Sequence, residues 1–565
     1  MKKKNYKGKK NNEDTEDTEE DTEDIEEDTE EDNNDKKGKK VEVCDKSLSF
    51  EDCELSILRM AVDESQKIVK VDTINDPEIK RMIKILENFL RRKQLVCYGG
   101  ISINAILPKE DQFYDMATDL PDYDFFSTNS LEDAKELCDL YVKEGFIEVE
   151  GKSGIHEGTY KVFVNFIPIA DVTFLPKELF DSIKRDAIKI SGILYAPPNF
   201  LRMGMYKELS RPQGDSDRFE KVLKRMNLLN KHYPLTVKNC GEVDFQRNME
   251  NQTNEDEIFD LVKNTLVDQG VVFFGGYALS LYSKYMPSNL KKKFEKYPDF
   301  DVISDSPLTV AQTVKEKLQD NGVKNIKIIK RSAIGDMIPK HYEIVVGNDT
   351  IVFIYDVVAC HGFNKIKVDG RDVKVATIDT ILTFYLIFIY TKREYYDVDR
   401  LLCMSQYLFK VQQTNRLEQK GLLKRFTITC YGHEKSLNET RAKKAERFSR
   451  LKDKRGSKEY EKYFFKYTPG DKIKKFKNSK KIRMSSESEK SGTVSSESDV
   501  KYRNTITDTT TDTTTDSSSS SSFDDNSSSL SSRNYSKKRK NKSNMVRKNK
   551  RKSKTKKNIF KRLFF

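Results

Sequence analysis

Tryptophan is absent from the sequence, histidine occurs only five times, and no apolar run is long enough to cross a bilayer. A membrane helix needs roughly 18 or more consecutive apolar residues. The richest run, Ile378–Tyr390, is shorter and includes two threonines, so we expect a core helix there. The lysine-rich start of the chain lacks the apolar stretch of a secretory signal. These absences disfavour secreted and membrane-spanning proteins, and we expect an intracellular protein that binds no membrane.

Zinc-ligand spacing is also missing, because none of the eight cysteines stands in a Cys-x-x-Cys pair. That spacing is typical of structural zinc sites, so its absence disfavours the zinc-finger class. Without a secretory signal, the cysteines are predicted to be free thiols in a reducing compartment. Cys97, which stands in an apolar segment, is predicted to be a core residue.

Charge is abundant and unevenly distributed along the 565 residues, whose formal net charge is +12. Residues 1–45 are rich in acidic residues and threonine, and residues 466–565 are rich in serine, threonine and basic residues. Such segments cannot bury a core, so we expect both ends to be disordered. The basic stretch from Arg533 to Arg562 has no acidic residue, which suits either RNA phosphates or a solubilising role.

A pattern in the middle of the chain occurs twice in the same order. Each copy has an apolar strand that ends in Gly-Gly, at residues 95–100 and 271–276, followed by a helix-forming stretch. An Asp-x-Asp motif with apolar neighbours comes 22 positions after the glycines in the first copy and 23 in the second. We therefore predict a mixed α/β fold with two tandem domains of one architecture, copy one (46–240) and copy two (250–465).

Three aspartates of copy one predict a metal site. Asp122 and Asp124 are two residues apart in a predicted strand, so their side chains share one face. Asp171 stands in another apolar strand that can lie beside the first. Three carboxylates at one sheet edge repel each other unless cations lie between them, and their oxygens suit Mg²⁺ or Mn²⁺. Because two such ions stabilise the attacking and leaving oxygens of a phosphoryl transfer, we predict two metal ions and a catalytic role for all three acids.

The Gly-Gly pair of copy one predicts a phosphate-binding turn. Gly99 and Gly100 let the backbone come close to a triphosphate at the start of a helix, where amide groups point outward. Alone, a Gly-Gly pair is usually an ordinary turn, and an Asp-x-Asp motif is usually a solvated strand end. Their combination with a third acid is the more specific signal.

Both copies are expected to keep a third acid, which in copy two would be Asp356, so the segments that follow must distinguish them. In copy one, Asn199 can cap a helix whose Arg202 and Lys207 could meet the charges of a triphosphate, or could simply face solvent. In copy two, the corresponding helix at 376–390 is apolar almost all round and should be buried. We therefore predict that copy one is the enzyme and that copy two is a degenerate scaffold.

The Gly-Gly pair, the Asp-x-Asp motif and the third acid of copy one resemble the signature of polymerase-beta-type nucleotidyltransferases. A closer resemblance, over about residues 50–465, is to the poly(A) polymerase catalytic subunit of poxviruses and giant viruses. It rests on three phrases: Tyr98-Gly-Gly-Ile-Ser-Ile-Asn, Pro121-Asp-Tyr-Asp-Phe-Phe-Ser and Phe274-Gly-Gly-Tyr-Ala-Leu. Many members of the superfamily have Gly-Ser in place of the Gly-Gly pair, so Ser102 is the candidate hydroxyl for contact with ATP.

The resemblance implies template-independent addition of AMP from ATP to the 3′ end of viral mRNA, with Mg²⁺ or Mn²⁺ as cofactor. It implies single-stranded RNA as the partner and the host cytoplasm, a viral factory or the virion as the location. It leaves open whether a second copy of the chain or a separate processivity subunit takes part. Two alternatives remain: another terminal nucleotidyltransferase, such as a uridylyltransferase or an oligoadenylate synthetase, or a non-catalytic RNA-binding scaffold.

Overall fold

A computed structural model describes residues 49–114, 120–243, 245, 254–291, 299–415 and 418–469. All of them belong to one compact unit, Met1–Ser485, while the other unit, Ser486–Phe565, lies outside the described residues. The predicted acidic tail and the basic stretch from Arg533 also lie outside the described residues, and their predicted disorder stays a prediction.

The first half of the described chain alternates helices and strands around one sheet. Its elements are α1 (Phe50–Asn75), α2 (Pro77–Lys93), β1 (Val96–Tyr98), α3 (Gly99–Ile106), β2 (Tyr123–Ser127), α4 (Ser130–Lys143), β3 (Val149–Ser153), β4 (Thr159–Val164), β5 (Ile167–Phe174), α5 (Lys177–Arg185), β6 (Ile188–Ile190), β7 (Ile193–Tyr195), α6 (Pro198–Leu209) and α7 (Phe219–His232).

The second half repeats this arrangement and then returns to the first sheet. Its elements are α8 (Glu255–Asp268), β8 (Val272–Phe273), α9 (Gly276–Tyr282), α10 (Ser288–Lys291), β9 (Phe300–Ser304), α11 (Pro307–Asp320), β10 (Ile326–Arg331), β11 (His341–Val346), β12 (Asp349–Asp356), β13 (His361–Val368), β14 (Arg371–Ala376), α12 (Ile378–Phe388), α13 (Val398–Thr414), β15 (Cys430–Tyr431), α14 (Leu437–Leu451), α15 (Lys458–Phe464) and β16 (Lys466–Tyr467).

Seven strands of each sheet have the same order and the same directions, while the eighth, β16 in copy one and β15 in copy two, joins opposite edges. The sheet of copy one runs β16-β3-β4-β5-β2-β1-β7-β6, and that of copy two runs β10-β11-β12-β9-β8-β14-β13-β15. In both, the strand before Gly-Gly pairs antiparallel with the Asp-x-Asp strand, which in turn pairs parallel with the next long strand. The predicted mixed α/β fold with tandem domains is therefore confirmed.

Helix α2 shows how the sequence covers one face of the first sheet. Asp76 caps its first turn by accepting a 2.7 Å hydrogen bond from the amide of Glu78, and Pro77 follows the cap. Its buried residues recur every three or four positions and therefore line one side of the helix: Ile79, Met82, Leu86, Phe89 and Leu90. Helix α4 packs on the same layer, against β3, β4 and β5.

The apolar run of copy two forms α12, and all of its residues except Thr383 are buried. The predicted core helix is therefore confirmed, and it packs against α6 of copy one and α13. Within the part of the chain that the structure describes, no helix is both long and apolar enough to cross a bilayer.

The chain returns to copy one at its C-terminal end, which corrects the predicted start of the tail at residue 466. Lys466–Tyr467 form β16 and pair antiparallel with β3. Phe465, just before this strand, is only 3% exposed, and a Cβ added to Gly151 would lie 2.8 Å from its ring. Glycine at position 151 therefore makes room for the returning aromatic side chain.

The prediction that the cysteines are free thiols is wrong for two pairs. Cys240 is disulfide-bonded to Cys403 and Cys360 to Cys430, with Cα–Cα distances of 5.5 and 5.2 Å. Partners separated by 163 and 70 residues leave no local spacing signal, so only the tertiary fold reveals them. Cys97 is a buried free thiol in β1, as predicted.

Candidate active site

The Gly-Gly turn of copy one lies directly against Asp124. Gly99 has a φ of +71°, and an added Cβ would come within 2.6 Å of Asp124 Oδ2. Both the backbone conformation and the close approach therefore require glycine. Helix α3 begins here without a side-chain cap, so its first amides remain available to an anionic group.

Asp124 and Asp171 are direct neighbours across the β2–β5 pair, as the sequence predicted. Asp122 precedes β2 and is exposed at the mouth of the site. The three predicted acids therefore lie close together at the β2–β5 pair, in the middle of the sheet. Asp171 Oδ2 accepts a 2.7 Å hydrogen bond from Lys161 Nζ, which lies opposite it on β4.

The electrostatics of the three acids favour a bound cation. Burial, together with the negative charges of Asp122 and Asp171, raises the pKa of Asp124 to about 7. Partial desolvation of its carboxyl group and the charge of Asp171 also raise the pKa of Asp122. Lys161 counteracts both shifts, as a cation beside carboxylates must. The site thus concentrates more negative charge than its own side chains neutralise.

The residues fit a divalent metal, although the acids are not yet gathered around one point. Among the described residues, no three acidic, histidine or cysteine side chains already form a metal-binding group. Lys161 is instead the cation that pairs with Asp171. The carboxylates, the glycine cradle beside Asp124 and this substitute cation are consistent with oxygen ligands for Mg²⁺ or Mn²⁺.

Two cations of α7, Lys221 and Arg225, were missed by sequence reasoning, which named Arg211 and Arg218 as further basic residues that could meet a triphosphate. An added Cβ on Gly100 would lie 2.6 Å from Tyr114 Oη and 2.9 Å from an Arg225 guanidinium nitrogen. Arg225, on α7, donates a 2.7 Å hydrogen bond to Tyr114 Oη. The charge of Arg225, followed by burial and the charge of Arg218, lowers the pKa of Lys221. Positions 218, 221 and 225 fall on one helix face, a spacing that could have revealed them.

The predicted role of Arg202 is wrong, because its side chain is completely buried. Its Nε donates a 2.8 Å hydrogen bond to Asn230 Oδ1, and its terminal nitrogens donate to Asn199 Oδ1 and the Tyr233 carbonyl. Asn199 is therefore not the helix cap that the sequence suggested; Pro197 occupies that position without a side-chain bond. Arg202 ties α6 to α7 inside the core, where a triphosphate cannot reach it.

Lys207 and Ser102 are less exposed than a triphosphate contact would suggest. Burial and the neighbouring Arg211 lower the pKa of Lys207 to about 8, while Asp336 and Glu434 of copy two oppose that shift. Lys207 thus lies at the interface with copy two, and its role toward ATP stays a prediction. The Ser102 side chain is fully buried on α3, and its hydroxyl has no hydrogen-bond partner among the described residues.

Copy two lacks the third acid, contrary to the prediction that both copies keep it. The β12–β9 register places Phe353 opposite Asp301, at the position that Asp171 occupies opposite Asp124 in copy one. The predicted Asp356 lies three residues further along, opposite Ser304, and pairs with Lys340 at 3.3 Å. Similar spacing in the sequence had concealed this difference in register.

An arginine pairs with the first acid of the Asp-x-Asp motif of copy two. Arg400 of α13 lies 3.2 Å from Asp299 Oδ2, and both side chains are largely buried. An added Cβ on Gly275 or Gly276 would overlap the carboxylate of Asp301 or Asp299, so the glycine cradle is retained. A guanidinium therefore occupies the neighbourhood in which copy one has room for a metal ion.

The match to a protein family lies within copy one. Residues 84–215, which include the whole acid site of copy one, match the family model for the poly(A) polymerase catalytic subunit. Relatives from African swine fever virus and Acanthamoeba polyphaga mimivirus carry the provisional name of that subunit. Both are 32% identical, over 182 and 174 residues, and the matches cover 31% and 30% of this chain. They span only 38% and 29% of the relatives' own lengths.

A solved structure resembles a larger part of the chain. The Megavirus polyadenylate synthase aligns with a TM-score of 0.63 and 21% identity, over 80% of this chain and 92% of that one. At this identity the likeness shows a common fold, which includes both copies. The resemblance read from the motifs is therefore confirmed: residues 84–215 are similar to the poly(A) polymerase catalytic subunit family, and the described chain has the fold of a polyadenylate synthase.

Proposed function

We propose that the protein is a template-independent polynucleotide adenylyltransferase that adds AMP from ATP to the 3′ end of RNA. The observation that carries the proposal is the juxtaposition of Asp124 and Asp171 across β2 and β5, beside the glycine turn at Gly99. The family match covers this site. The substrates and the use of metal come from the resemblance and belong to the proposal.

In the proposed reaction, the terminal 3′ hydroxyl oxygen of the RNA attacks the α-phosphorus of ATP. A phosphodiester bond forms, the bond to the β-phosphate oxygen breaks, and pyrophosphate leaves. Asp122, Asp124 and Asp171 would hold two divalent ions, which supply charge stabilisation for the attacking and leaving oxygens. Asp171 would help to remove the hydroxyl proton. Arg225, beside the Gly-Gly turn, would bind the triphosphate together with Lys221 and Arg218, whose charges are close enough to interact.

Copy two would serve as a scaffold in this proposal. Phe353 in place of the third acid and the Arg400–Asp299 ion pair both disfavour a second metal site. Helix α12 instead packs against α6, next to the catalytic sheet. Copy two would therefore stabilise the position of copy one and form the opposite wall of the substrate cleft.

A single assay separates the candidate functions. The full chain is incubated with a labelled RNA, Mg²⁺ or Mn²⁺, and each nucleoside triphosphate in turn. Long products with ATP alone support the proposal, while equal use of UTP would reassign the base. If no product forms with any of the four nucleotides, the non-catalytic scaffold becomes the favoured hypothesis. Asp122→Ala serves as the matched inactive variant, since loss of a metal ligand commonly costs several powers of ten in rate.

A further inference from the structure

Three lysines stand in one cross-strand row that begins at the catalytic acids. Starting from Asp124, the register pairs Asp124 with Asp171, Asp171 with Lys161, Lys161 with Lys152, and Lys152 with Lys466. Residues directly opposite each other in a sheet project from the same face. With strands about 4.8 Å apart, the row extends for about 14 Å from Asp171 to the sheet edge.

This face of the sheet is open, whereas the opposite face is covered. Helix α4 and Phe465 pack on the covered face, where an added Cβ on Gly151 would meet both Cys138 Sγ and the Phe465 ring. On the open face, the side chains of Lys161, Lys152 and Lys466 are 42%, 50% and 74% exposed. The lysine row is therefore accessible to a ligand along its whole length.

The row carries more positive charge than its surroundings neutralise. Glu150 pairs with Lys152 at 2.7 Å and lies 3.6 Å from Lys466, so one carboxylate serves two lysines. Lys161 pairs with Asp171, the acid that the metal ions would claim. Like charges directly opposite each other destabilise a sheet. A polyanion laid across the strands would remove this repulsion.

An aromatic ring stands beside the lysines. Phe163 is two residues from Lys161 on β4, so it shares the open face, and it is only partly buried. Lys152 Nζ lies 5.3 Å from the centre of its ring. Lysines that follow a backbone, with an aromatic platform among them, are the combination that binds single-stranded nucleic acid.

The in-line geometry of the proposed reaction indicates that this face binds the RNA and not the ATP. Asp124 has Tyr98 of β1 on one side and Asp171 on the other. The Gly-Gly turn and the cations of α7 lie on the β1 side. In an in-line transfer the attacking and leaving oxygens lie on opposite sides of the phosphorus. If the triphosphate occupies the β1 side, the 3′ hydroxyl must approach over β5.

We propose that the row Lys161, Lys152 and Lys466 binds the backbone phosphates of the RNA upstream of its 3′ end, with Phe163 as a stacking platform. The row leads the strand from the sheet edge to Asp171. This inference rests on the proposed function for its direction. The binding surface itself can be tested without any catalysis.

The test measures affinity for a labelled single-stranded RNA that ends in a 3′-deoxynucleotide and so cannot be extended. Fluorescence anisotropy titrations of the full chain and of Lys152→Gln/Lys466→Gln are run across a salt series with Mg²⁺ but without ATP. Each lost phosphate contact should reduce the slope of log affinity against log salt by about 0.7, or about 1.4 for both. That change corresponds to about 25-fold weaker binding at 0.1 M salt. The loss should be equal for oligo(U) and oligo(C).

Lys189→Gln/Lys327→Gln is the matched control, because it removes the same charge from exposed positions on the outer strands β6 and β10. It should bind RNA like the unmodified chain. Equal affinities and slopes for the two double variants would overturn the lysine row while leaving the adenylyltransferase proposal intact. If the unmodified chain forms no product with any nucleotide, the proposed function fails, and the binding titrations still decide the lysine row. Thermal unfolding of both variants verifies that they are folded.

Discussion

Asp124→Asn should abolish tailing and yet stabilise the metal-free protein. Burial and two neighbouring carboxylates raise the pKa of Asp124 from 3.8 to about 7. One pKa unit corresponds to about 1.36 kcal/mol, so ionising this group in the folded state costs up to about 4 kcal/mol. Because Asp122 and Asp171 share the repulsion, the neutral amide should recover only part of this, about 1–3 kcal/mol.

The sign of the pH dependence follows from the direction of the shift. A carboxyl whose pKa is higher in the folded state lowers the free energy of unfolding at every pH above its unfolded pKa, because the unfolded chain releases the proton more readily. The penalty is absent below about pH 4, grows between pH 4 and 7, and is complete at pH 8. The thermal midpoint of Asp124→Asn in EDTA should therefore exceed that of the unmodified chain by about 2–6 °C at pH 8, and the two should converge near pH 4.

Two controls make this measurement specific. Asp320→Asn removes one negative charge from the exposed end of α11 and should shift the midpoint by at most about 1 °C. Adding Mn²⁺ should raise the midpoint of the unmodified chain more than that of Asp124→Asn, because the ion relieves the same repulsion. A midpoint for Asp124→Asn equal to or below that of the unmodified chain at pH 8 would refute the reasoning.

Two further substitutions test the assignments of the copies and of the buried arginine. Asp299→Asn/Asp301→Asn should retain tailing at a rate within about threefold of the unmodified chain, because copy two has no third acid opposite Asp301. A folded variant that extends no primer would contradict the scaffold role. Arg202→Ala should reduce the free energy of unfolding by about 1–3 kcal/mol, and so lower the thermal midpoint, because three half-buried acceptors lose their donor, while the KM for ATP stays unchanged. A raised KM with an unchanged midpoint would restore a triphosphate role for this arginine.

The duplication and the acid site could be predicted from the sequence because both depend on local patterns. An apolar strand ending in Gly-Gly and an Asp-x-Asp motif are read within a few residues, and strand periodicity fixes which side chains share a face. The pairing of Asp124 with Asp171 then needs only two neighbouring parallel strands. No local pattern of this kind indicates which strands pair antiparallel or which strands lie at the edges of the sheet.

Apart from the predicted Asn199 cap, which is a local error, the errors concern partners that are distant in the sequence. Asp356 was a plausible third acid by spacing, but a shift of three residues in register puts Phe353 in its place. Arg202 looked like a helix-surface cation because sequence alone does not show that α7 covers it. The return of β16 to the first sheet joins residues more than 300 positions apart, and it also supplies the last lysine of the proposed RNA row.

The comparison of the two copies shows which features of the fold are structural and which are specific to the proposed chemistry. Both copies keep the order of seven strands, the Gly-Gly turn and the Asp-x-Asp pair, so these features belong to the shared fold and do not by themselves distinguish the copies. They differ at the third acid, where copy one has Asp171 and copy two has Phe353. They also differ in the cation beside the acids: the side chain of Lys161 is 42% exposed, whereas that of Arg400 is 12% exposed. In the proposed mechanism a metal ion would take the place of Lys161 beside Asp171, whereas copy two has Phe353 at the position of that acid.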